Sequence, residues 1–153
     1  MKLIENTPLI KRMAIINRLP FFKSFSLDER QVLLESFSSL LLVKKDRFVF
    51  QQFDNDKSLY LVLSGALMMF RHNDKVELGL VEPGEFIGEG SFVSQRQRSI
   101  NARACEDTIL LAISSSVLSR LPSAMKDKLK DQIIIGMSHR IEQLSKLLEA
   151  KQS

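Results

Sequence analysis

The sequence is poor in the residues that crosslink proteins or bind metals. Its 153 residues include no tryptophan, one cysteine and two histidines. The single cysteine, Cys105, excludes an internal disulfide and favours a reducing compartment, so we expect a cytoplasmic protein in which Cys105 is a small buried residue. His72 and His139, without a second cysteine, are too few for a typical metal cluster, and no metal is expected.

Long apolar segments and blocks of like charge are also missing. The N-terminal "MKLIENTPLIKRM" lacks the continuous apolar stretch of a signal peptide, and nothing approaches the length of a membrane span, so no membrane partner is expected. The net charge is +4, but basic and acidic residues alternate, as in "VKKDRF" and "MKDKLKDQ". Such interleaving is typical of solvated surfaces, so no direct nucleic-acid partner is expected. No nucleophile–base pair stands out, which argues against an enzyme.

The residues that are abundant indicate one ordinary globular domain. Apolar residues make up 44% and charged residues 26% of the chain, and ten phenylalanines favour a core of Phe, Leu, Ile and Val. The hydrophobic period predicts an N-terminal helical segment over 1–38, β-strands over 39–113 and C-terminal helices over 114–153. We therefore expect a mainly β fold, an antiparallel, jelly-roll-like β-roll with flanking helices.

The N-terminal segment carries helix start and stop signals. Pro8 is suited to start a helix, and Pro20 is expected to end it. Ser26 is the expected N-cap of a second helix, with Asp28 and Glu29 in its first turn. The apolar stripe of that helix is predicted at Leu27, Val32, Leu33 and Phe37.

The central segment alternates short β-rich runs with turn residues. Ser64-Gly65 and Asn73-Asp74 are predicted to be tight hairpin connections, and Pro83-Gly84 another turn. The runs 59–63 and 109–113 are apolar on both faces, which places them inside a closed roll.

The C-terminal segment ends in a long amphipathic helix. Pro122 is expected to stop a short helix, and Ser123 to cap the next one. Apolar residues then follow the alternating spacing of a heptad: Ile134, Met137, Ile141, Leu144 and Leu148. This seam fits either a homodimer through the helix or a helix folded back on its own roll.

The strand pattern breaks at "FIGEGSFVSQRQRS", residues 86–99. Glycines at 84, 88 and 90 permit positive φ, and "GSFVSQ" could form a helical turn whose Gly90 and Ser91 amides face an anion. Arg98 would supply a planar guanidinium for a phosphate, and Ser99 a hydroxyl. Glu89 would accept hydrogen bonds from hydroxyls of the same ligand. The alternative is a Glu89–Arg98 salt bridge in a surface loop.

These residues carry a family resemblance. "FIGEGS", with "RS" nine residues after Glu89, resembles the phosphate-binding cassette of cyclic nucleotide-binding domains, found in catabolite activators, protein kinase A regulatory subunits and gated channels. "LPFFKSFSLDERQVLLESF" and "LYLVLSGAL" are similar to the helical entry and middle strands of that family. The resemblance implies a cassette over 84–99 with these site residues: Gly88 in the turn, Glu89 on the ribose 2′-hydroxyl, Gly90, Ser91 and Arg98 on the cyclic phosphate, and Ser99 on a phosphate oxygen or a guanine.

The resemblance also implies a function without catalysis. It predicts a regulatory sensor domain whose ligand is cAMP, or else cGMP. The closing helix would act as a lid through Arg140, Leu144 and Ser145 and would transmit binding to a fused or separate effector. No DNA-reading module fits after Leu148, so the chain by itself is not expected to be a transcription factor.

Some positions depart from the family pattern. Phe53-Asp54 stands where the family has Gly-Asp or Gly-Glu, Gly90 replaces an aliphatic residue, and Ile100 replaces Ala or Thr. Phe53 and Ile100 favour an alternative function, a degenerate fold acting as a non-binding scaffold or dimerisation module. A second arginine, Arg96, is expected to be a solvated loop residue, or a substitute for Arg98 if Arg98 faces outward.

Overall fold

The computed structural model describes residues 1–71 and 76–152. The helices and strands, in chain order, are β1 Lys2–Leu3, α1 Leu9–Ile16, α2 Leu27–Ser36, β2 Ser39–Val43, β3 Phe48–Phe50, β4 Leu59–Ser64, β5 Leu67–Arg71, β6 Val76–Val81, β7 Phe86–Ile87, α3 Glu89–Ser94, β8 Asn101–Ala104, β9 Thr108–Ile113 and α4 Ser123–Gln152. Short 3₁₀ helices span Pro20–Phe22 and Ser115–Val117.

The strands confirm the predicted antiparallel β-roll. Within the described residues they form two sheets, with strand orders β1-β2-β9-β4-β7 and β3-β8-β5-β6, and the pairs between neighbours are antiparallel. The central strands β4 and β9 are largely buried, as the apolar runs 59–63 and 109–113 predicted. Both sheets contribute to one core of aliphatic and aromatic side chains.

Of the predicted connections between strands, one is wrong and one is confirmed. Ser64-Gly65 is not a hairpin, because β4 and β5 belong to different sheets and the chain crosses from one sheet to the other there. A side chain on Gly65, which has a φ of +89°, would collide with Thr108, so the crossing requires glycine. Pro83-Gly84 is confirmed as a turn, closed by the Glu85 N–H on the Glu82 carbonyl at 2.9 Å. The predicted Asn73-Asp74 turn lies outside the described residues.

The predicted N-cap of the second helix is present, but the first helix is shorter than predicted. Ser26 accepts a hydrogen bond from the Glu29 N–H at 3.1 Å, and the Glu29 carboxylate accepts one from the Ser26 N–H at 2.7 Å, which is a complete capping box. The first helix was expected to continue to Pro20, but it ends at Ile16, and Pro20 begins a 3₁₀ turn instead.

The predicted apolar stripe of α2 is partly wrong. Leu33 and Leu34 are its buried residues, whereas Leu27 and Val32 are exposed. A capping box leaves the first turn of a helix at the surface, so an apolar residue at its first position is not drawn into the core.

The chain divides into two compact units, Met1–Leu121 and Pro122–Ser153. The second unit is the helix α4, and Ser123 is its first residue rather than its cap. The five residues of the predicted heptad seam are exposed on this helix: Ile134, Met137, Ile141, Leu144 and Leu148.

Candidate functional site

A glycine in a left-handed conformation lies within the predicted cassette, directly before α3. Gly88 has a φ of +92° and caps α3, which confirms the short helical turn expected at this place. A methyl group on Gly88 would lie 2.8 Å from the Ser58 carbonyl oxygen and 2.6 Å from Nη1 of Arg98. The turn is held against β4, because β7 pairs with Tyr60 and Leu61. Gly88 is therefore required both by its φ angle and by the arginine packed on it.

Arg98 is a buried side chain, with a relative exposure of 2%. Its Nη1 donates to the Gly88 carbonyl at 3.0 Å, and its Nη2 donates to the Ser58 carbonyl at 2.6 Å and to Asp56 Oδ2 at 3.0 Å. The guanidinium carbon lies 4.2 Å from the centre of the Phe50 ring. Arg98 lies in the segment between α3 and β8, three residues before β8 begins at Asn101.

Two backbone hydrogen bonds fix this segment against the loop before β4. The Arg98 N–H donates to the Asp54 carbonyl at 3.0 Å, and the Phe53 N–H donates to the Arg98 carbonyl at 2.8 Å. Phe53 has a φ of +74° and is exposed. The resemblance implied glycine at this position, and Phe53 here adopts a left-handed backbone conformation, so the turn forms without glycine.

Asp56 is the carboxylate that pairs with Arg98. It also accepts hydrogen bonds from the Tyr60 hydroxyl and from the Ser58 N–H. Burial raises the pKa of Asp56, but the hydrogen bonds from Tyr60 and Ser58, together with Arg98, more than offset it, so this pKa lies below its ordinary value. Burial and the hydrogen bond to Asp56 raise the pKa of Tyr60. Asp56 is consequently a carboxylate and Tyr60 a neutral donor at neutral pH.

Sequence reasoning missed Asp56, Tyr60 and Phe50 as members of this site. Asp56 and Arg98 lie 42 positions apart, so no local spacing connects them. The available signal was Tyr60, the only tyrosine of the chain, which is the second residue of the apolar run 59–63 and has an aspartate four residues before it. A buried tyrosine hydroxyl requires a partner, and the nearest acid in the sequence supplies it.

One N–H of the buried Arg98 guanidinium has no hydrogen-bond acceptor among the described residues. Nε of Arg98 is buried and has no hydrogen-bond partner among the residues that the structure describes. A buried N–H without an acceptor costs about 1–3 kcal/mol, so such groups are rare unless a ligand or water satisfies them. The Arg98 side chain therefore retains capacity for one more acceptor, and an anionic oxygen suits a guanidinium best.

The other predicted cassette residues surround this arginine in sequence but differ in exposure. Glu89 and Gly90 open α3 and are half-buried, Ser91 is buried, and Ser99 is exposed. As first-turn residues, Gly90 and Ser91 have N–H groups that no carbonyl within α3 can accept. The structure brings Gly88 into direct contact with Arg98. The predicted lid residues Arg140, Leu144 and Ser145 all lie on α4, in the second unit.

Gly90 is in contact with the second arginine of the loop. A methyl group on Gly90 would lie 2.6 Å from Nη2 and 3.2 Å from Nε of Arg96. Arg96 itself is exposed, and it makes no hydrogen bond or ion pair within residues 1–71 and 76–152. The glycine in place of an aliphatic residue thus leaves room for the Arg96 guanidinium beside the turn.

Neither a metal-binding cluster nor a membrane-spanning helix occurs in the residues that the structure describes. The described part of the chain holds no group of three or more His, Cys, Asp or Glu that could bind a metal ion. His139 is exposed, and its Nε2 lies 3.2 Å from Nε2 of Gln143. His72 is outside the described residues. Cys105 is half-buried, and burial raises its thiol pKa. No helix in 1–71 or 76–152 has the length and apolarity to span a membrane.

Comparison with known proteins gives one family. The profile of the cyclic nucleotide-binding domain matches residues 40–124. The cyclic AMP receptor protein of Thermus thermophilus is 34% identical over 110 residues, which is 67% of this chain and 50% of that protein. The chain therefore spans half the length of this relative.

Solved structures agree with the fold. A cyclic nucleotide-binding domain from Methylobacillus flagellatus superposes with a TM-score of 0.78 at 21% identity, covering 94% of this chain and 83% of that one. The catabolite activator protein of Thermus thermophilus superposes with a TM-score of 0.71 at 29% identity, covering 87% of this chain and 63% of that one.

Proposed function

The chain belongs to the cyclic nucleotide-binding domain family, and on this basis we propose that it is a regulatory sensor domain whose ligand is cAMP. The observation that carries the proposal is the buried Arg98 guanidinium, which has one N–H without an acceptor among the described residues. A cyclic phosphate is a compact anion, and its oxygen would satisfy that donor. The proposal assigns no residue a role in making or breaking a covalent bond, so the proposed activity is binding alone.

Each residue of the cassette has a separate task in the proposed complex. Arg98 binds the phosphate through its remaining donor, and the first-turn amides of Gly90 and Ser91 add neutral donors. Glu89 accepts a hydrogen bond from the ribose 2′-hydroxyl, and Ser99 donates to a phosphate oxygen or to a guanine. The Phe50 ring under Arg98 and the Asp56 carboxylate beside it hold the guanidinium in place before the ligand arrives.

Support for cAMP over cGMP comes from the name of the relative with 34% identity, a cyclic AMP receptor protein. The base pocket is proposed to include Arg140, Leu144 and Ser145 of α4. The sensor is proposed to act in the cytoplasm, and ligand binding would reach a fused or separate effector through α4 as a shift between two populated states.

The exposed seam of α4 supports a homodimer as part of the same proposal. Five apolar side chains at heptad spacing cover nearly two repeats, and a second copy of the helix would bury them. Ile141→Lys places a charge in the middle of the seam and should convert a dimer to a monomer. Sedimentation velocity of both proteins checks this, and a wild-type monomer at high concentration would contradict the homodimer.

A non-binding scaffold is the competing function, and one observation favours it. The charge of Arg98 is already neutralised by Asp56, and its Nη groups are already bonded to Gly88 and Ser58. An arginine that is satisfied inside the chain could be a structural residue only. The two functions differ in whether a folded chain binds nucleotide.

Isothermal titration with cAMP, cGMP and open-chain 5′-AMP distinguishes the nucleotide sensor from the non-binding scaffold. We expect cAMP to bind more tightly than cGMP, and 5′-AMP to bind weakly because its phosphate is larger and carries more charge. Glu89→Gln keeps the shape of the side chain, removes its charge, and should weaken cAMP binding about tenfold, or 1.4 kcal/mol.

A thermal scan provides an independent readout of the same binding. Ligand at 100 times its Kd should stabilise the fold by about 2.7 kcal/mol. A wild-type chain that unfolds cooperatively but gives neither heat nor a thermal shift with any of the three nucleotides would overturn the sensor function and leave the scaffold.

A further inference from the structure

We infer that Arg96 is a second anion-binding and affinity-determining residue of the cassette, and that Gly90 is small so that Arg96 can lie against the turn. The inference rests on the proposed nucleotide function and assigns a role to two residues outside the family pattern. Its basis is the contact between Gly90 and the Arg96 guanidinium, where a Cβ would lie 2.6 Å from Nη2.

The charge of Arg98 is already offset within the chain. Arg98 pairs with Asp56, and Glu89 adds a second carboxylate at the first position of α3. Because Asp56 already offsets the charge of Arg98, a further cation beside the turn would strengthen the attraction for a phosphate.

Arg96 supplies such a cation beside the turn. It lies two positions before Arg98 in the chain, and its guanidinium contacts Gly90, two positions after the Gly88 that Arg98 contacts. Arg96 is exposed and has no hydrogen bond or ion pair among the described residues, so it is accessible to an approaching anion. Arg98, by contrast, is 2% exposed. An incoming phosphate therefore meets Arg96 before it reaches Arg98.

The small size of Gly90 is what permits this arrangement. The position lies in a helix, where glycine is less favourable than alanine by about 1 kcal/mol, so glycine here has an energetic cost. Gly90 also has no left-handed φ that would require it. Contact with the Arg96 guanidinium is the feature of this position that a side chain would disturb.

The test compares Arg96→Gln with Arg18→Gln, which removes the same charge from an exposed arginine of the segment after α1. We expect Arg96→Gln to weaken cAMP binding about tenfold in isothermal titration and to reduce its dependence on salt, while Arg18→Gln binds as the wild type does. Wild-type affinity in Arg96→Gln, within twofold, would overturn the inference and leave the sensor function intact. A wild-type chain that binds no cyclic nucleotide would overturn both.

Gly90→Ala tests the placement of Arg96 without changing charge. The added methyl group should displace the flexible guanidinium, so cAMP binding should weaken several-fold while the chain stays folded. In the double variant with Arg96→Gln the two effects should not add, because both act by removing the same guanidinium from the turn. Additive effects, or an unchanged affinity in Gly90→Ala, would show that Gly90 does not serve Arg96.

Discussion

Replacing Asp56 with asparagine should destabilise the fold by about 1–2 kcal/mol at neutral pH. Losing one partner of a fully buried pair costs about 3–5 kcal/mol, and an exposed pair contributes about 0–1 kcal/mol. This pair is intermediate, because the Arg98 side chain is 1% exposed and the Asp56 side chain is 34% exposed. Asparagine also keeps one oxygen that can accept the hydrogen bond from Tyr60, which places the cost below the buried limit.

The cost of Asp56→Asn should depend on pH in a defined direction. The pKa of Asp56 in the folded chain lies below its ordinary value of 3.8, so the unfolded chain binds a proton more readily than the folded one. The stabilisation by Asp56 is therefore present above about pH 4 and is lost as the pH falls through the folded-state pKa. Urea unfolding followed by circular dichroism at pH 7, 5, 4 and 3 measures the difference between wild type and variant.

A matched control separates this pair from surface charge effects. Glu142→Gln breaks an exposed i,i+4 pair with Lys146, whose side chains are 67% and 73% exposed, and should change stability little at any of these pH values. The reasoning fails if Asp56→Asn is as stable as the wild type at pH 7. It also fails if the free energies of unfolding of wild type and Asp56→Asn differ as much at pH 3 as at pH 7.

Two further substitutions test the backbone of the site. Phe53→Gly should raise the free energy of unfolding by about 0.5–1 kcal/mol, since it relieves a left-handed conformation at an exposed side chain, and a lower Tm would contradict this. Gly88→Ala should cost about 2 kcal/mol or more, because its φ is unfavourable and its methyl group meets the Ser58 carbonyl. Gly79→Ala is the matched control, with a φ of +132° and no atom within 4 Å of the added methyl group; equal destabilisation in chemical denaturation would show that the collision at Gly88 is absorbed without cost.

The sequence predicted the features that depend on local signals. The Ser26 capping box and the α3 turn at Gly88 are each encoded within a few residues, and both are present. The roll itself was predictable because β4 and β9 are apolar on both faces, which indicates strands covered on both sides, and because turn residues separate many short strands.

Two of the errors arose where the outcome depends on distant partners. Ser64-Gly65 has the composition of a hairpin turn, yet β4 pairs with β9 in one sheet and the strand that follows pairs with β6 and β8 in the other. The neutralisation of Arg98 by Asp56 depends on two loops that meet only after the sheets have formed. The roles of the cassette side chains toward a nucleotide stay predictions, since they concern a bound state.

The pairing of β2 with β9 has a consequence for how the chain folds. Ser39 is paired with Ala112 and Val43 with Thr108. The first long strand of the roll therefore cannot form this pairing until the last strand has been synthesised. The contacts span about 70 residues, and closing a loop of that length costs entropy before any contact compensates it. A nascent chain emerging from the ribosome exposes the edges of both β2 and β4 until Ile113 has left the exit tunnel. Folding of the roll is therefore a late, nearly all-or-none event, and truncation before β9 should yield an aggregating fragment rather than a smaller domain.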